Sequence, residues 1–228
     1  MNSIATNLSA LRARIESAAQ RAGRDPAAIR LLAVSKFQPG AAIQEAYDAG
    51  QRDFGENRVQ EAQGKFSGLR GTRPDLRLHL IGPLQSNKIA AAVALFDRIA
   101  TLDRVKLAQG LAAAMREQNR RPDLLVEVNI GREPQKAGIL PELVPDFIQL
   151  CRDELNLPVR GLMCIPPRSC YSAGQGPEPY FRQLAQLADA HDLPERSMGM
   201  SGDFETAIIC GATEVRVGTG IFGSRNNQ

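Results

Sequence analysis

A chain of 228 residues, 43% of them hydrophobic, can bury the core of one large α/β domain or two small ones. Lysine and arginine together number 28 against 25 acidic residues, aromatics make up 5%, and tryptophan is absent. That balance argues against a nucleic-acid surface, which needs a basic stripe and stacking rings. The four cysteines, Cys151, Cys164, Cys170 and Cys210, lack metal-ligand spacing. The first ten residues lack a secretory pattern, and no run approaches the ~18 apolar residues of a membrane span. A cytoplasmic protein with reduced thiols is expected.

Ile4, Leu8, Leu11, Ile15, Ala18 and Ala22 recur at three- and four-residue spacing, which predicts an opening helix stopped at Gly23. Strand-like runs follow at 31–35, 52–54, 76–80, 98–101, 124–129, 159–163, 197–200 and 214–217. Helical patterns separate them at 41–49, 58–66, 87–95, 104–119, 141–153, 179–190 and 204–210. Alternation of this kind means parallel strands joined by right-handed crossovers. Eight strands predict a single (β/α)8 TIM barrel over 1–228 with an extra N-terminal helix. A doubly wound open sheet is the alternative. Against it, the first strand is followed by Ser35-Lys36-Phe37-Gln38-Pro39-Gly40 rather than a G-x-G-x-x-G turn. Segment 166–179, with four prolines and two glycines, is either a lid after the sixth strand or a plain surface loop.

Barrels gather their chemistry at the C-terminal ends of the strands. There the sequence places Lys36, Asn57, His79 and Gly82, Lys136, Met163, Ser201, and Gly218 with Thr219. Ser201-Gly202-Asp203 precedes a helix whose first amides lack partners, and Gly218-Thr219-Gly220 allows close backbone approach. These two turns stand in the loops after strands seven and eight, where barrels commonly bind phosphate. Lys36 is either an exposed strand-end lysine or a desolvated amine ready for carbonyl chemistry. A reactive lysine and a phosphate cradle together point to pyridoxal 5'-phosphate held as a Schiff base. Arg216, in a barrel strand, needs a partner: Glu214 two residues away or a pyridine nitrogen. An arginine there stays protonated, so the ring nitrogen would stay unprotonated and the ring would be a weak electron sink. His79 lies in an apolar strand and reads as a core histidine or a pocket residue.

Several segments carry a family resemblance. They are Ala33-Val34-Ser35-Lys36, Phe54-Gly55-Glu56-Asn57 with Val59-Gln60-Glu61, and His79-Leu80-Ile81-Gly82 with Leu84-Gln85-Ser86-Asn87-Lys88. Further along stand Gly161-Leu162-Met163, Ser197-Met198-Gly199-Met200-Ser201, and Val215-Arg216-Val217-Gly218-Thr219 with Ile221-Phe222-Gly223. In this order they resemble the pyridoxal phosphate homeostasis proteins, whose fold is like the barrel domain of bacterial alanine racemase standing alone. The resemblance implies that Lys36 is the Schiff-base lysine, Arg216 the ring-nitrogen partner, and Ser201, Gly218 and Thr219 the phosphate ligands. Asn57, His79 and Met163 would line the ring pocket. It further implies a cofactor holder without a settled activity, delivering to apo-enzymes that use the same cofactor.

Two departures stand out: Gln38 replaces a lysine that members often carry, and 129–133 differs from the usual Ser-Gly-Glu pattern. The enzyme alternatives are an amino-acid racemase and a sugar-phosphate enzyme working through a Lys36 Schiff base. Racemases of this type use a catalytic tyrosine opposite the lysine and an added β-domain. Here Tyr47, Tyr171 and Tyr180 fall in helical or inserted segments. Without that domain the chain is expected to be a monomer.

Overall fold

The computed structural model describes residues 3–172 and 174–223. Ser3 caps helix α1 (Ile4–Arg21) by accepting the Thr6 amide. The helix ends at Gly23 in the left-handed region (φ 64°), where the Gly23 and Arg24 amides donate to the Gln20 and Ala19 carbonyls. Eight strands follow: β1 (Arg30–Val34), β2 (Asp53–Glu56), β3 (Arg77–Leu80), β4 (Arg98–Leu102), β5 (Asp123–Val128), β6 (Val159–Cys164), β7 (Glu195–Ser197) and β8 (Glu214–Val217). They are parallel, neighbours in space follow the order of the chain, and β8 returns to β1, so the barrel closes. The expected (β/α)8 architecture is what forms.

The outer ring comprises α2 (Gly40–Asp48), α3 (Val59–Arg70), α4 (Ile89–Leu95), α5 (Val105–Gln118), α6 (Val144–Gln149), α7 (Ser169–Ser172), α8 (Glu178–Asp189), α9 (Phe204–Ile209) and α10 (Thr219–Phe222). Two of these, α7 and α10, are too short to announce themselves by periodicity. The expected helix over 141–153 is broken into a 3-10 turn (Pro141–Leu143), α6, and a π turn (Leu150–Glu154). The expected strand at 197–200 sits earlier, at Glu195–Ser197, because Gly199 turns the chain at φ 93°. There a Cβ would lie 2.5 Å from the Cβ of Ala207, so only glycine fits against α9.

Alternation along each strand sorts residues between two cores. Leu31, Ala33, Phe54, Leu78, Leu80, Val215 and Val217 face outward into the large core beneath the helices. Inside the barrel a small apolar cluster of Ala100, Leu125 and Met163, with Ile81 against it, fills the middle. Below it the interior is charged. Seven of the eight strands open on a charged residue: Arg30, Asp53, Arg77, Arg98, Asp123, Glu195 and Glu214. Arg98 reaches across to Glu195 (2.5 Å) and Glu214 (3.3 Å), and Arg30 pairs with Glu195 (3.0 Å). Arg77 grips Asp53 through two hydrogen bonds of 2.8 and 2.6 Å. Buried ions require such pairing, because leaving any one uncompensated costs several kcal/mol, on the order of 3 to 5. Among the described residues no helix is long and apolar enough to cross a membrane.

Candidate functional site

A cavity of about 220 Å³ opens at the C-terminal end of the strands. Leu32, Val34 and Lys36 share one face of the first strand and its continuation, and the last two line this cavity. Lys36 is half-buried, and its amine has no hydrogen-bond or ion-pair partner among the described residues. The loop that presents it is held firmly. The Ser35 hydroxyl donates to Glu56 Oε1 (2.6 Å), while the Lys65 amine from α3 donates to the Ser35 carbonyl (2.8 Å) and to Glu56 (3.0 Å). Phe37 takes the left-handed region (φ 63°) and donates its amide to Glu61, which also pairs with Lys65 (2.6 Å). Burial pushes the Glu56 carboxyl up, against the pull of Ser35 and Lys65.

Around Lys36 stand Asn57, Ile81, Met163, Ile165, Met200, Ser201, Arg216, Gly218 and Thr219. Asn57 is set by Gly82: a Cβ at Gly82 would lie 2.3 Å from the Asn57 carbonyl oxygen, so the two loops pack backbone to backbone. The Ser201 and Thr219 hydroxyls meet at 3.2 Å and bring the seventh and eighth loops together. The amides of Ser201 and Gly202 have no hydrogen-bond partner among the described residues. Those of Thr219 and Gly220 open α10, where no intrahelical acceptor exists. The cap of α9 is Asp203 rather than Ser201, and its carboxylate accepts the Met200 amide (2.6 Å) and the Tyr171 hydroxyl. Arg216 is buried, and its Nη1 and Nη2 donate to the Ser197 hydroxyl oxygen and the Cys164 carbonyl, each at 2.8 Å. Burial lowers its pKa from the ordinary arginine value.

One expected pocket residue is not there. His79 does not line the cavity; it is 2% exposed in the layer below, with Nε2 3.2 Å from Asp53 and Nδ1 3.3 Å from Glu214. Strand parity accounts for this: Ile81, two residues on, shares the inward face of His79 and reaches the cavity in its place. Burial disfavours the charged imidazole, but the neighbouring Asp53 and Glu214 carboxylates outweigh it and raise the pKa. Lys136 also lies outside the cavity lining, paired with Glu133 at 2.5 Å.

The sequence reading missed the apolar lining of Val34, Ile81, Ile165 and Met200, which strand parity alone could have supplied for the first two. It also missed Glu127, whose carboxyl is raised to about 7 by burial and then by Asp103, against the pull of Arg216. A larger cleft of about 990 Å³ lies at the opposite end of the strands, lined by residues including Arg30, Asp53, Arg77 and Glu195. Those four side chains are already paired with one another, unlike the Lys36 amine in the smaller cavity.

Residues 6–226 match the family described as alanine racemase, N-terminal domain. The pyridoxal phosphate homeostasis protein of Pseudomonas aeruginosa is 43% identical over 99% of this chain and 97% of its own. PipY of Synechococcus elongatus, solved without pyridoxal phosphate, superposes with a TM-score of 0.82 at 42% identity, covering 97% of this chain and 100% of its own. The same protein solved with PLP bound gives 0.80 at 40% identity, over the same shares. An alanine racemase of Clostridium difficile, at 14% identity and a TM-score of 0.68 over 99% of this chain and 58% of its own, shares the fold. By its matching barrel and its full-length relatives, the chain belongs to the pyridoxal phosphate homeostasis proteins, within the family of the alanine racemase N-terminal domain.

Proposed function

We propose that the cavity holds pyridoxal 5'-phosphate through a covalent Schiff base to Lys36, and that the chain keeps and hands on this cofactor rather than turning over a substrate. One observation carries the reading. Among the described residues, a lysine amine without a partner, a buried arginine whose Nε makes no hydrogen bond, and two turns of unpaired amides converge on one small cavity. The residues fit the group: the amides and hydroxyls of Ser201, Gly218 and Thr219 suit its phosphate, Arg216 its ring nitrogen, and Asn57 and Met163 its ring. A Cβ at Gly218 would lie 3.2 Å from the Val34 carbonyl oxygen, and one at Gly220 2.9 Å from Val217, so glycine keeps this cradle open.

When bound, the cofactor supplies an aldehyde that condenses with amines. Arg216 remains a proton donor at the ring and does not give its proton up, which suits holding rather than carbanion chemistry. Among the described residues no tyrosine lines the cavity. The relatives' name and the PLP-bound PipY structure support this reading. In it, one domain acts as a cytoplasmic monomer, with pyridoxal phosphate as ligand and apo-enzymes that need the cofactor as recipients. The test is the visible spectrum of the protein mixed with pyridoxal phosphate. A yellow band bleached by borohydride, and absent in Lys36→Ala, is expected; no band in the unmodified protein would refute the reading. Amino-acid turnover by the loaded protein would refute its non-catalytic part.

A further inference from the structure

Arg216 ends a polar chain that runs down the inside of the barrel. Its Nη1 donates to Ser197 Oγ on the neighbouring strand (2.8 Å), and the Ser197 hydroxyl donates onward to Glu214 Oε1 (2.7 Å). The other Glu214 oxygen lies 3.3 Å from Arg98 Nη1, 3.3 Å from His79 Nδ1 and 3.5 Å from Arg30 Nη1. Ser197 and Glu214 are each 1% exposed, so no solvent competes for these bonds.

The direction of each bond follows from what its atoms can do. Guanidinium nitrogens only donate, and an ionised carboxylate only accepts. Ser197 has a single hydroxyl hydrogen. Because Glu214 takes it, the serine oxygen is left to accept from Arg216. The Cys164 carbonyl, on another strand, accepts from Nη2 (2.8 Å). Two acceptors fixed on two strands define the plane of a rigid guanidinium, and with it the bearing of the remaining Nε. Replacing Glu214 by glutamine would let an amide donate to Ser197 and turn the hydroxyl hydrogen towards Arg216, donor against donor. Removing the serine hydroxyl would leave Nη1 without its acceptor.

We propose that Ser197 and Glu214 are positioning residues that fix the plane of Arg216 and thereby its contact with the ring nitrogen of the cofactor. The cofactor contact rests on the reading of the cavity given above, whereas the plane of Arg216 does not. The experiment compares the unmodified protein with Ser197→Ala, Ser197→Thr and Glu214→Gln, each first shown folded by circular dichroism.

With pyridoxal phosphate bound, Ser197→Ala and Glu214→Gln are expected to shift the visible band and to release cofactor roughly tenfold faster. Ser197→Thr, which keeps the hydroxyl, should behave as the unmodified protein does. A Ser197→Ala protein with an unmoved band and release within about twofold would overturn the inference while leaving the cofactor reading intact. If Glu214→Gln does not fold, the serine pair decides. If the unmodified protein takes up no cofactor, that reading fails, and the Arg216 side-chain NMR signals of the cofactor-free proteins decide. A sharp Nε–H signal in the unmodified protein and Ser197→Thr, lost to exchange in Ser197→Ala, would uphold the positioning role; the same signal in all three would overturn it.

Discussion

Glu127 shows how a single side chain can make stability depend on pH. Its carboxyl titrates at about 7, raised by burial and by Asp103. In the unfolded chain it titrates near 4.3, so between these values the folded protein binds a proton that the unfolded chain does not. Stability therefore falls as pH rises through that window and levels off above it. The most this one ionisation can cost is about 4 kcal/mol. Glu127→Gln mimics the protonated form, so it should melt at a higher temperature than the unmodified protein at pH 8 and at nearly the same temperature at pH 5. Calorimetry at the two pH values checks this; a variant that gains nothing at pH 8 would show that Glu127 carries its charge without penalty.

Among the elements, the segment carrying α7 has the clearest prediction. The Tyr171 hydroxyl donates to Asp203, the residue that also holds the Met200 amide beside the cavity. Burial and the bond to Asp203 both push the Tyr171 hydroxyl up from the ordinary tyrosine range, so it keeps its proton at any physiological pH. Tyr171→Phe removes one hydrogen bond, at a cost of about 1 kcal/mol, from a segment anchored elsewhere by the buried Pro166, Pro167 and Cys170. Global melting should barely move, while proteolytic nicking within 166–177 should quicken several-fold. Equal nicking rates would show that the tyrosine does not tether the segment. From sequence this segment was ambiguous between lid and loop, because a bond spanning 32 residues leaves no trace in local composition. The helices α7 and α10, of four residues each, were invisible for a similar reason: periodicity needs more than one turn to show.

At the scale of the whole molecule, the charged floor of the barrel couples fold to pH. His79, Arg98 and Ser197 hold the Glu214 carboxyl well below the usual carboxylate range despite its burial. Asp53 is lowered by His79 and Arg77 in the same way. Both contribute stability that is present above about pH 4 and lost as pH falls through their folded values. His79 works in the opposite sense: its raised pKa contributes stability below about pH 6.5, lost as pH climbs through the folded value. Stability should therefore drop steeply in acid. Glu214→Gln should cost on the order of 3 kcal/mol at neutral pH and progressively less as the medium is acidified. Denaturant titrations from pH 3 to pH 7 measure this, and a cost independent of pH would mean that packing rather than charge is at stake.

Much of this architecture was legible beforehand. Alternating strands and helices specify the barrel, and Lys36, Arg216 and Gly218 reach the cavity as expected because strand ends and strand parity are one-dimensional facts. His79 was misplaced because the same parity holds for every layer of the barrel and does not reveal depth. The charged floor is written in the sequence as the residues that open the strands, but nothing in a linear reading says that they meet. Only closure of the ring shows that they face one another.

That closure also sets when the cavity can exist. β1, which leads into Lys36, pairs with β8, which carries Arg216, and Asn7 of α1 donates to the Ile221 carbonyl. The amine thus leaves the ribosome well ahead of the turn that completes its surroundings, by roughly 10 to 40 s at ordinary rates of synthesis. Throughout that interval the β8 wall of the pocket and the Ile221 partner of Asn7 are still unmade. A chain stopped before β8 lacks Arg216, Gly218 and Thr219 and with them one wall of this cavity.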